Sequence, residues 1–106
     1  MSISREELMR RIEAGRVEYA RSLPAKVAHI EALVGPARTS ADALRELERA
    51  AHSLYGTAGT YGFRELGNAA RAVEEAASAM VAGEDRPLAL AHAVDALRSF
   101  LPSGQD

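Results

Sequence analysis

Residues 39–61 read TSADALRELERAAHSLYGTAGTY. Within this stretch, apolar residues recur at steps of three, four, three and four positions: Leu44, Leu47, Ala51, Leu54 and Ala58. This spacing places them on one side of an α-helix and is typical of helices that pack at shallow angles. Thr39 and Ser40 are both suitable N-caps. The stretch therefore predicts a long amphipathic helix whose apolar side faces a helical core.

Four further segments carry similar apolar stripes. The first begins at the capping-box pair Ser4 and Glu7, the second near Pro24, the fourth after Gly62 and the fifth at Pro87. Their stripes are Leu8, Ile12 and Tyr19; Leu23, Val27, Ile30 and Val34; Phe63, Leu66, Ala70, Val73, Ala77 and Met80; and Leu90, Val94, Leu97 and Leu101. Because the breaks are short, sequential helices should be antiparallel neighbours.

The sequence thus predicts an all-α fold, an antiparallel up-and-down four-helix bundle with an additional N-terminal helix across one end. A chain of 106 residues has room for one core, so residues 1–106 are predicted to form a single domain. Residues 103–106 are expected to be a frayed tail. Composition agrees, since 22 residues are Ala, a strong helix former that is depleted in strands.

Composition also excludes several functions. The net charge of −2 argues against nucleic acid as a partner. No apolar run approaches the length of a membrane span, so no membrane partner is expected. The chain has no Cys and no Glu-x-x-His pair of the di-iron type, and we predict no metal site. The absence of Cys also fits a reducing compartment, which predicts a cytoplasmic location.

The side of the 39–61 helix opposite its apolar stripe is unusual. His52, Gly56 and Gly59 lie roughly 130°, 170° and 110° from the centre of the stripe, so all three should face solvent. Each glycine inside a helix costs about 1 kcal/mol relative to alanine, and core packing does not require glycine at exposed positions. Close approach of another macromolecule to His52 explains them; a solvated histidine near a fraying helix end is the plainer alternative.

Residues 51–63, AHSLYGTAGTYGF, resemble the signature of histidine-containing phosphotransfer (HPt) domains. That signature has a small residue, His, any residue, Leu, Lys, Gly, Ser or Thr, and Ala, with a further Gly after two or three residues. In the family, an apolar residue followed by Glu or Gln occurs in the next helix, and Val73 and Glu74 match this pair. Length and helix order match as well, so the resemblance covers essentially the whole chain.

The resemblance implies a phosphorelay intermediate of two-component signalling, a phosphocarrier and not an enzyme. His52 would accept and donate the phosphoryl group, in exchange with a response-regulator receiver aspartate or a sensor histidine kinase. Glu74 would accept a hydrogen bond from the imidazole and orient it. The chain would need no cofactor of its own, and Mg²⁺ is expected in the partner receiver domain.

One position departs from the family signature. Tyr55 stands where the family usually has Lys, which offsets the phosphate charge. Arg49 and Arg45 lie three and seven residues before His52 on the exposed side, and either could supply the missing charge.

Docking of a receiver would use the flat surface at Gly56 and Gly59, with Tyr55, Tyr61 and Leu23 as nearby apolar contacts. Half-burial of Tyr55 is an equal alternative. Two other functions stay open: an HPt-like module that binds a receiver or kinase without carrying phosphate, and an unrelated structural helical bundle. Tyr55 favours the first of these, whereas His52 together with Gly56 argues against the second.

Overall fold

The computed structural model describes residues 2–102, and within them it contains helices and no β-strand. Helix α1 spans Arg5–Val34, α2 spans Ala41–Thr60, α3 spans Arg64–Val81 and α4 spans Pro87–Ser99. A short 3₁₀ helix, Pro36–Arg38, joins α1 to α2. The predicted all-α helical bundle is confirmed. The frayed tail predicted for residues 103–106 lies outside the described residues.

Local sequence signals set the ends of the helices. The hydroxyl of Ser4 accepts a hydrogen bond from the Glu7 backbone N–H at 3.0 Å, and that of Ser40 accepts one from Ala43 at 3.1 Å. Both are side-chain N-caps, which satisfy donors that the first helical turn leaves free. Gly62 follows α2 with φ of +87°, a left-handed conformation that suits glycine and lets the chain turn into α3.

The helices pack around one apolar core. Tyr19 and His29 of α1 contact Thr57 and Glu46 of α2, respectively, so α1 and α2 run antiparallel. His52 meets Glu74 and Gly67 lies against Ala58, so α2 and α3 are antiparallel too. Helix α4 packs on α3 and α1. The largest fully buried side chains are Leu23, Ile30, Leu47, Leu66, Leu97, Val27 and Val73, all taken from the predicted stripes.

The predicted additional N-terminal helix is not a separate element. The two segments expected on either side of Pro24 form the single helix α1, with Pro24 inside it. Proline removes one backbone donor and disfavours a helix interior. Here the buried residues Tyr19, Leu23, Val27 and Ile30 continue across it at steps of four, four and three. This continuous packing outweighs the local effect of the proline.

The first turns of α1 extend away from the core. Leu8 and Ile12, expected on a buried stripe, are 46% and 56% exposed, so that expectation was wrong. The physical reason is length, because α2 ends at Thr60, close to Gly15, and no other helix within residues 2–102 lies beside the earlier residues. No helix within residues 2–102 has the length and apolar character needed to cross a bilayer.

Candidate functional site

His52 lies on the exposed side of α2, with Ala51 and Leu54 buried on the other side. Its side chain is 70% exposed, and its Nδ1 is 2.7 Å from Oε2 of Glu74 on α3. An ionised carboxylate only accepts hydrogen bonds, so Nδ1 must carry the hydrogen. In the neutral ring, the lone pair is then on Nε2. The contact thus selects one tautomer and orients the ring.

Glu74 reaches His52 because of how α3 packs. Its neighbour Val73 is fully buried, which fixes the rotation of α3, and Glu74 follows at the border of the core with 25% of its side chain exposed. Helix α3 lies close to α2 at Gly67, where a Cβ would be in van der Waals contact, 3.5 Å from the Ala58 Cβ and 3.7 Å from the Tyr55 carbonyl oxygen.

An open groove runs beside His52 between α2 and α3. The residues that line it include His52, Tyr55, Arg71, Glu74 and Ser78. Tyr55 is half-buried and packs against the core, while its hydroxyl reaches the groove. The ring of Tyr55 is therefore half-buried, which was one of the two expectations for this residue. Its hydroxyl can contact polar groups in the groove.

Arg71 is a groove residue that the sequence analysis did not single out. Its Nη1 is 3.4 Å from the Tyr55 hydroxyl, its Cζ is 5.5 Å from the centre of the Tyr55 ring, and its Nε donates to Glu75 at 3.3 Å. Tyr55 and, to a smaller extent, Glu75 raise the pKa of Arg71 above its usual value. Its position three residues before Glu74, one turn away on a helix, was a usable signal.

The two arginines named from the sequence lie on the other side of His52. Arg45, Glu48 and Arg49 line a shallow groove together with His52 and Glu74. Arg49 donates to Glu46 at 2.6 Å, and Glu46 is also 3.3 Å from Nε2 of His29. The Arg49 guanidinium is thus partly neutralised by a carboxylate on its own helix.

Gly56 and Gly59 are exposed on α2, and a Cβ added at either would have no atom within 4 Å beyond the adjacent residues and backbone of α2 itself. The surface beyond His52 is therefore bare backbone. Tyr61 is 37% exposed, and its ring stacks on Tyr19 with centroids 4.5 Å apart.

Leu23, in contrast, is fully buried. Its suggested part in docking was wrong, because it belongs to the α1 stripe that forms the core. Within residues 2–102, no group of three His, Asp or Glu side chains is arranged to hold a metal ion.

Comparison with known protein families found a match for most of the chain. The family model of the Hpt domain matches residues 16–100. The chain belongs to the Hpt domain family. Hpt domains are phosphotransfer modules of two-component signalling, phosphocarriers that interact with receiver or kinase domains. The matched part of the Hpt domain begins near Gly15, where α1 joins the core, and leaves out the exposed first turns. No curated protein and no solved structure matches the chain.

Proposed function

We propose that this Hpt domain is a phosphorelay intermediate that carries its phosphoryl group on His52. The observation that carries the proposal is the 2.7 Å contact between Nδ1 of His52 and Glu74, on a side chain that is 70% exposed. An imidazole held in this way offers an unprotonated Nε2 towards solvent, which is the form that attacks phosphorus.

The transfer step follows from this tautomer. Nε2 attacks the phosphorus of a receiver aspartyl phosphate, an N–P bond forms, and the P–O bond to the aspartate breaks, so that the carboxylate leaves. The proton stays on Nδ1, and the imidazolium charge that develops is balanced by Glu74. The reverse step returns the phosphoryl group to a receiver aspartate. Histidine therefore needs no general base on this chain to remove a proton from the attacking nitrogen.

The partner should supply what this chain does not. Phosphoryl transfer needs in-line geometry, a metal ion and cationic stabilisation. We expect a response-regulator receiver domain, or a sensor histidine kinase, to bring the reacting group, with Mg²⁺ in the receiver and no cofactor on this chain. A cytoplasmic location is part of the same proposal.

Docking is proposed to use the bare backbone at Gly56 and Gly59, with Arg45, Arg49, Tyr55 and Tyr61 around it. Open space at both glycines supports this proposal, since a rigid partner surface could approach His52 without meeting side chains.

A labelling experiment tests the function. The protein is incubated with a panel of receiver domains that carry ³²P-aspartyl phosphate, with Mg²⁺ present, and is then examined for acid-labile, base-stable phosphate. We expect label on the wild type and none on His52→Gln. His29→Gln and His92→Gln, both at exposed histidines, are matched controls that should still be labelled.

Two outcomes would contradict the proposal. If the wild type takes no label from any receiver or kinase tested, the chain is a binding module that carries no phosphate. If His52→Gln is labelled as well as the wild type, the phosphoryl group is carried elsewhere.

A further inference from the structure

The family lysine that offsets phosphate charge is replaced by Tyr55, yet a cation still lies over this position. Arg71 projects from α3 and its guanidinium carbon lies 5.5 Å from the centre of the Tyr55 ring. His52 and Tyr55 are three residues apart on α2, and therefore adjacent on its surface. Arg71 and Glu74 have the same spacing on α3. The four side chains line one groove.

Tyr55 holds Arg71 by two contacts. The ring face attracts the guanidinium, and the hydroxyl accepts a hydrogen bond from Nη1 at 3.4 Å. A third contact comes from Glu75, whose carboxylate accepts a hydrogen bond from Nε of Arg71 at 3.3 Å. A lysine at position 55 could not provide a ring face, so the tyrosine is suited to a cation that comes from the neighbouring helix.

The guanidinium keeps donors for a ligand. Arginine has five N–H donors, and only Nε and Nη1 have acceptors among residues 2–102. Arg49 donates one N–H, from Nη1 to Glu46 at 2.6 Å, and it lines the other groove beside His52, with Arg45 and not with Tyr55. Arg71 is thus the guanidinium in the groove that His52 shares with Tyr55, and it has N–H groups left to donate.

We propose that Arg71 contacts the phosphoryl group on His52 and supplies the positive charge that lysine supplies elsewhere in the family, with Tyr55 as its positioning residue. This inference rests on the proposed phosphotransfer at His52. Arginine binds phosphate oxygens by paired, charge-assisted hydrogen bonds, whereas lysine acts as a point charge. Arg71 neither gives nor takes a proton, so the bonds made and broken are those of the transfer step above.

The test compares transfer rates of variants from one phosphorylated receiver that labels the wild type at His52. In Arg71→Ala we expect the rate at saturating receiver to fall at least about tenfold, because a hydrogen bond to a charged group is lost. The KM for the receiver should change less than this rate, which separates phosphoryl stabilisation from docking. Arg21→Ala, at an exposed arginine of α1, is the matched control and should transfer at the wild-type rate.

A rescue variant makes the test specific. Tyr55→Lys in the Arg71→Ala background restores a cation at the family position and should recover most of the lost rate. Tyr55→Phe keeps the ring and should lose less than Tyr55→Ala, which removes both contacts. Thermal melts of each variant establish that the bundle is folded.

The inference is overturned if Arg71→Ala transfers at the wild-type rate while His52→Gln is inactive. It is also overturned if Tyr55→Lys gives no recovery in Arg71→Ala, since the loss would not be a loss of charge. Either result leaves the phosphotransfer function intact. Failure of the wild type itself to be labelled would instead contradict the proposed function.

Discussion

The two sides of helix α2 differ in their burial and in the side chains they carry. On the buried side, Leu47, Ala51, Leu54 and Ala58 are all 2% exposed or less. On the opposite side, His52 is followed by Gly56 and Gly59, and a Cβ built at either glycine would have no atom within 4 Å beyond the adjacent residues and backbone of α2 itself. The buried side is apolar and fully packed, whereas the exposed side has one reactive group and then bare backbone.

This difference shows that the geometry of the site depends on the packing of α3 against α2. The exposed side of α2 cannot orient His52 by itself, because the groups that do so come from α3. Glu74 and Arg71 are within reach only because the buried side fixes the distance and rotation of α3. Burial of Val73, the residue before Glu74, is the contact that holds Glu74 beside His52.

The largest expected effect comes from the buried side. Leu47→Ala should lower the free energy of unfolding by roughly 2–5 kcal/mol, because it removes a fully buried side chain and leaves a cavity. Urea denaturation measures this change. Leu88→Ala, at a leucine that is 69% exposed, is the control and should change stability little. Equal effects of the two substitutions would mean that the apolar stripe of α2 does not form the core.

On the exposed side, Glu74→Ala should leave stability nearly unchanged and slow phosphotransfer. The expected loss is roughly tenfold to hundredfold, by analogy with carboxylates that orient metal-bound imidazoles. Glu74→Gln keeps an oxygen acceptor and should lose less. Glu65→Ala, at an exposed carboxylate in the first turn of α3, is the matched control. A Glu74→Ala rate equal to that of Glu65→Ala would show that the ring needs no orienting group.

Sequence patterns were sufficient for most of the fold. The steps of three and four residues located the core residues of α2, α3 and α4, because each helix buries a single side against its neighbours. Pro24 was read as a possible start of a new helix, and here local preference failed because packing on both sides of the proline is continuous. Leu8 and Ile12 were expected to be buried and are exposed, because an amphipathic pattern in one helix does not show where the neighbouring helix ends.

For the site, the sequence indicated His52, Glu74 and the two glycines, and it did not indicate Arg71. Its place three residues before Glu74 indicates the same side of α3, but its contact with Tyr55 joins residues 16 positions apart on different helices, which spacing along one helix does not show. Spacing along one helix favoured Arg49, but Arg49 donates to Glu46 on its own helix and lies in the groove away from Tyr55. Contacts across a helix pair depend on how far one helix slides along the other, and a stripe of apolar residues leaves this undetermined.

The smallest expected effect is that of Gly56→Ala on the exposed side, where stability and docking should change in different directions. Gly56→Ala should raise the free energy of unfolding by about 0.5–1 kcal/mol, because alanine is the better helix former and the added methyl group meets no atom. The same methyl group should raise the KM for the receiver if this surface is the docking site. A stabilised variant with an unchanged KM would mean that the bare backbone has no part in docking.

The central claim is that Glu74 holds the proton on Nδ1 of His52 and leaves Nε2 to carry the phosphoryl group. The most direct measurement is a long-range ¹H–¹⁵N NMR spectrum of the ¹⁵N-labelled protein after phosphorylation, with His29→Gln and His92→Gln combined so that one imidazole remains. We expect phosphorus on Nε2, with Nδ1 still protonated. Phosphorus on Nδ1 would contradict it, since that nitrogen could not then donate to Glu74.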